Sequence, residues 1–233
     1  MRSKHLRNLK VGGAALVAVL MFSALATASA SAAKPEFKSP GGFPVKFNAT
    51  SGAGKLETVG AGGTVRTVTC KSDTASGEIT GAKTAKNIVV VFKECTAVEG
   101  SIMANCGTIT TNKLTAEPNY LTNPNSASEV GLDLKPESGT QFAEFKCTAG
   151  IFTVTLKVTG SVVGKITPTN TLTKSYSLVF AQTKGKQKYE GYFVGSTFTK
   201  DVLSTSGSTF GAEQSGIEGT DSITTEKEVE LSA

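Results

Sequence analysis

Beyond its first ten residues the chain has no histidine, it has no tryptophan anywhere, and Arg66 is the sole arginine after Arg7. Each absence excludes chemistry. Ser-His-Asp and Cys-His catalysis need an imidazole base, and the single His5 lies at the extreme N-terminus. Most zinc sites use histidine or closely spaced cysteine pairs. Phosphate and nucleic-acid recognition rely on several arginines and on aromatic platforms. There is no C-x-x-C, so a dithiol redox motif is absent as well. No catalytic residue, metal, cofactor or nucleic-acid partner is therefore expected.

The one long apolar run is at the start. Arg2, Lys4, Arg7 and Lys10 precede an apolar stretch at 11–25, and Ala30-Ser31-Ala32 supplies a small-x-small cleavage pattern around Ala30 and Ala32. That stretch falls short of the roughly 20 residues of a membrane span. No cysteine follows it to carry a lipid. Residues 1–32 read as a cleaved signal peptide, leaving a secreted chain, 33–233, with no membrane segment after cleavage. Removing four basic residues with the signal leaves 20 Lys+Arg against 19 Asp+Glu. The full-length pI near 9.0 thus says nothing about acidic partners.

What is present begins with cysteine. Cys70, Cys95, Cys106 and Cys147 all lie in the secreted part, separated by 24, 10 and 40 residues. An even count in an oxidising compartment reads as a disulfide framework with three connectivities available. Cys95 ends "NIVVVFKEC" and Cys106 opens "CGTIT", which predicts a stapled hairpin, Cys95–Cys106. Cys70 and Cys147 both end strand-like runs and are expected to pair with each other.

Period-2 alternation recurs along the chain between Gly, Pro, Asn and Ser clusters. "VGLDLK" (130–135) puts Val130, Leu132 and Leu134 on one face, and "IFTVTLKV" (151–158) sorts Phe152, Val154, Leu156 and Val158 from its threonines and lysine. "LTKSYSLVF" (172–180) and "ITTEKEVEL" (223–231) behave alike, although Lys227 spoils the inward set of the last. "IVVVF" (88–92) is apolar on both faces and is the best candidate for a central strand. The pattern predicts an all-β protein, an antiparallel β-sandwich, with a β-barrel or two small β domains as alternatives. "EPNYLTNPNSASE" (117–129) is the weakest point and would be the site of a subdivision, while a Cys70–Cys147 link across it would favour one domain.

Other motifs weaken on inspection. "SGAGKLETVGAGG" (51–63) lacks the first glycine and the Ser/Thr of a phosphate loop. The T-x-T pairs are irregularly spaced, as threonines on solvent faces of strands are. "KSDTASGE" (71–78) has too few spaced acids for a calcium loop. The 19 acids are scattered singly, with no sign of the paired carboxylates of a glycosidase. "KGKQKYEGYF" (184–193) is the one candidate lip, with Lys186 and Lys188 beside Tyr189 and Tyr192, suited to stacking on a sugar or facing an anionic polymer.

Five stretches, "FPVKFNATSGAGKLETVG", "TVTCKSDTASGEITGAKT", "VGLDLKPESGTQFAEFKC", "VTGSVVGKITPTN" and "EQSGIEGTDSITTEKEVELSA", resemble a family of secreted, signal-peptide-bearing proteins of soil actinobacteria. The resemblance spans nearly the whole secreted chain and supports the cysteines as a framework. It implies no activity, cofactor or catalytic residue. The resulting expectation is a non-enzymatic secreted or cell-surface protein with a structural or adhesive role. The alternative is an extracellular ligand-binding module, with cell-wall or extracellular polysaccharide or other surface proteins as partners.

Overall fold

The computed structural model describes residues 35–124 and 129–233. The signal-peptide and cleavage assignments at 1–32 lie outside the described residues. Ala32–Ala233 forms one compact unit, nearly all strand, and no α-helix occurs among the described residues.

A short β1 (Glu36–Lys38) precedes eight long staves. They are β2 (Val45–Ser51) with β3 (Gly54–Val59); β4 (Val65–Cys70) with β5 (Ser72–Gly81); β6 (Thr84–Glu99); β7 (Ile102–Thr110) with β8 (Leu114–Tyr120); β9 (Val130–Pro136) with β10 (Gln141–Ala149); and β11 (Phe152–Gly160) with β12 (Val162–Thr167). The seventh starts as β13 (Leu172–Phe180), is interrupted by an excursion carrying β14 (Gln182–Thr183), β15 (Lys186–Gln187), β16 (Gly191–Val194) and β17 (Thr197–Lys200), and resumes as β18 (Leu203–Gly207). The eighth is β19 (Phe210–Ser232). Every stave pairs antiparallel with the next. β19 then pairs with β2 and β3, through Ile223 opposite Ala49 and Ile217 opposite Leu56, and closes the ring.

The predicted antiparallel all-β class therefore holds, and the connectivity is that of its barrel alternative, an up-and-down meander in which closure removes the sheet edges. At the start of segment 117–129, Glu117 to Tyr120 pair with Asp133 to Val130 of the next stave. No central strand exists in a ring: "IVVVF" sends Ile88, Val90 and Phe92 toward the core, while Val89 and Val91 lie half-buried outside.

The alternation has a physical outcome. Val45, Phe47 and Ala49 face inward while Lys46, Asn48 and Thr50 are exposed. In β19, Ile223 and Thr225 are buried between exposed Ser222, Thr224 and Glu226. Apolar inside and Thr, Ser, Lys and Glu outside is the reverse of a lipid-facing barrel. One sector departs from it. β9 reads as buried at five successive residues, Val130 to Leu134, because the excursion at 181–202 lies against the outer face of β8, β9 and β12. The first hairpin turns through Ala61–Gly63, where Gly62 and Gly63 take positive φ that side chains rarely adopt.

The predicted disulfide pairing is overturned. The bonds are Cys70–Cys95 and Cys106–Cys147. Thr69 opposes Thr96 and Asn105 opposes Thr148, so each bonded pair sits directly across neighbouring staves on the inward face. A register shift opposes Cys95 to Gly107 and leaves Cys106 as the extra residue, facing β10 instead. Cys70 and Cys147 have two staves between them.

Candidate ligand-binding lumen

Three cavities of about 60, 90 and 300 Å³ occupy the interior, and each is lined from all eight staves. The lower two share Val90, Leu134 and Asp221, and the upper two share Leu56 and Val68. They are successive compartments of one lumen. Phe37 of β1 lines the lowest. The highest reaches the end where the staves turn at 60–64, 100–101, 150–151 and 208–209. Aromatic rings fill the lumen where glycine makes room. A side chain at Gly164 would begin 2.6 Å from the Phe180 ring, and one at Gly77 would begin 2.7 Å from Phe47.

The upper compartment is walled by Leu56, Val68, Ala97, Ala104, Val154 and Leu156. Its mouth carries an exposed apolar collar: Ile102 is 62 % exposed, Met103 68 %, Ile151 91 % and Phe152 73 %. Ile102 and Phe152 belong to the cavity wall itself. Large apolar side chains exposed together around a cavity are the usual mark of an interaction site. Arg66 sits at this mouth. Its guanidinium lies 2.6 Å from Glu213 and 3.1 Å from Glu99, and 4.0 Å from the centre of the Phe210 ring. Its Nε is buried without a partner. Below it, buried hydroxyls form a belt, Thr58 to Ser215 at 2.8 Å and Ser215 to Thr205 at 2.7 Å.

At the middle level Asp73, Ser51 and Asp221 lie in one row on three neighbouring staves. Ser51 donates its hydroxyl to Asp73 Oδ2. Asp73 is buried, and its Oδ1 has no donor. Burial first, then the charge of Asp73 and a hydrogen bond with it, push Asp221 up to about 7. A single proton shared between the two carboxyls satisfies this geometry.

The predicted lip residues lie on the outside of the barrel, in the excursion. Lys186 and Lys188 are exposed, with the Lys188 ammonium 5.2 Å from the centre of the Tyr189 ring. Tyr189 and Tyr192 are half-buried. Tyr189 donates its hydroxyl to Glu129 at 3.0 Å, and burial and that contact raise its pKa to about 12. Glu129 also accepts from Lys165. Tyr192 faces a second acidic pair. Asp133 is fully buried with neither oxygen hydrogen-bonded, and it is pushed up to about 7 by burial, then by Asp201. Lys135 stands 3.7 Å from Asp133 and 2.9 Å from Glu117, and Ser161 donates to Asp201. Four of the acids scattered through the sequence thus meet as two pairs, Asp73 with Asp221 and Asp133 with Asp201.

Sequence reading missed the lumen residues. Arg66 registered only as a rarity, although a lone arginine in "TVRTVTC" occupies the inward phase of its strand with Val68 and Cys70. Asp221 keeps inward phase with Ile217 and Ile223, a signal that reading the alternation through the acid would have revealed.

Protein-family models, curated proteins and solved structures give no match to this chain.

Proposed function

We propose that this protein is a secreted, non-enzymatic β-barrel that holds a small apolar molecule in its upper lumen. The observation that carries the reading is the compartment of about 300 Å³ at the collared mouth, walled by all eight staves. That volume is at the lower end of the range for small-molecule sites, roughly 300–1,000 Å³. Eight staves leave an interior just wide enough for side chains or one small ligand. Two disulfides fit an extracellular setting. The outward threonines and lysines keep the barrel wetted, while the collar offers the ligand an apolar entry.

N-phenyl-1-naphthylamine, a neutral apolar fluorophore, tests the reading. Its emission should rise and shift to the blue on titration with oxidised protein, saturating at one site. Ala97→Phe, which fills the upper compartment, should suppress the change. The structural or adhesive role is the second reading, favoured by the two lower cavities of only about 60 and 90 Å³, and it prevails if wild-type protein leaves the fluorophore unchanged.

A further inference from the structure

The upper compartment accounts for an apolar body, but the middle one carries a polar feature that an apolar molecule leaves unused. Asp73 and Asp221 face each other across Ser51 in the wall of a cavity of about 90 Å³ whose remaining lining is largely aliphatic and aromatic, including Leu134, Phe145 and Val158. Asp73 is only 7 % exposed, and its Oδ1 has no donor. The other charged groups at this level, Lys55 and Glu218, are engaged with one another at 3.3 Å. No cation among the described residues is paired with either aspartate. Cys70, the one remaining residue of this wall with titratable chemistry, is locked in its disulfide.

Two carboxyls facing an apolar space without a cation hold a proton between them, because a second buried negative charge is strongly disfavoured. A ligand ammonium can replace that proton, donating to Asp73 Oδ1 and to Asp221 while its chain runs upward past Leu56 and Val68, which wall both compartments. We propose that the middle compartment is a head-group subsite for a primary ammonium, so that the preferred occupant of the lumen is a small amphipathic amine. The inference rests on the lumen as a ligand site and adds the chemical class of the ligand. The balance is simple: the ammonium enters with its own charge, and the proton shared by Asp73 and Asp221 leaves to solvent.

Isothermal titration of wild-type protein with octylammonium and with octanol, in buffers of different ionisation enthalpy, tests it. At about pH 8.5 octylammonium should bind at least about tenfold more tightly than octanol, the worth of one pKa unit of coupling. At about pH 6, below the value of about 7 to which Asp221 is raised, binding should release close to one proton per ammonium, and at about pH 8.5 almost none. Asp73→Asn/Asp221→Asn, checked for folding by circular dichroism, should lose both the preference and the release. If that variant does not fold, proton release by the wild type decides alone. Octanol binding as tightly as octylammonium, with no proton released, overturns the ammonium subsite and leaves the lumen reading standing. Failure of octanol, octylammonium and N-phenyl-1-naphthylamine alike overturns both.

Discussion

Asp133→Asn should make the barrel more stable at alkaline pH and leave it nearly unchanged at acid pH. Asp133 is fully buried under the excursion, where Asp201, Glu117, Lys135 and Tyr192 face it, and its pKa rises from 3.8 to about 7. A carboxyl raised in the folded state holds its proton there while the unfolded chain has already lost it. Its stabilising contribution is complete below about pH 4 and is lost as pH climbs through 7. A rise of about three pKa units is worth at most about 4 kcal/mol, since each unit is 1.36 kcal/mol. Asp221, raised to about 7 in the lumen, adds a loss of the same sign. Urea unfolding of the oxidised protein at pH 5, 6, 7 and 8 should therefore show wild-type stability falling across the series. The fall should be shallower in Asp133→Asn, whose side chain is neutral at every pH and needs no proton to stay buried. A wild type as stable at pH 8 as at pH 5, or a variant with the wild-type slope, would show that Asp133 is not held protonated by its burial.

Three further outcomes are expected. Digestion without reduction, followed by mass spectrometry, should yield linked peptides for Cys70–Cys95 and Cys106–Cys147. By the chain-entropy relation the separations of 25 and 41 residues make these bonds worth about 3.5 and about 4 kcal/mol, so serine at either pair should lower the urea midpoint accordingly. Gly164→Val places its branched carbon against Phe180 and Leu178, and overpacking of this kind should lower stability by about 1–3 kcal/mol in the same assay. Arg66→Lys keeps a charge but cannot contact Glu213 and Glu99 together while stacking on Phe210. It should cost about 1–2 kcal/mol in thermal or urea unfolding, and an unchanged midpoint would remove Arg66 from the mouth's framework.

Class and face were legible in the sequence where a strand has one wet side. Val130, Leu132 and Leu134 face inward as their alternation predicts, as do Tyr176, Leu178 and Phe180. Closure was not legible, because period-2 alternation is the same in a sandwich and in a barrel; only the pairing of β19 with β2 and β3 separates them. The disulfides were misassigned because loop length says nothing of a bulge, and the register shift between Cys95 and Thr96 turns Cys106 toward Cys147. The outward Asp133 reads as a solvent residue in "VGLDLK", and nothing local tells that an excursion some fifty residues later covers it. Asp73 and Asp221 are far apart in the chain, and their meeting depends on β2 lying between β5 and β19.

The lumen itself is most directly tested by fluorescence titration of N-phenyl-1-naphthylamine against oxidised wild type and Ala97→Phe. A ligand-binding lumen should give a saturable blue-shifted enhancement with one site in the wild type, and affinity weakened at least about tenfold when the added ring occupies the upper compartment. No enhancement in the wild type, or an enhancement that Ala97→Phe leaves intact, would contradict it.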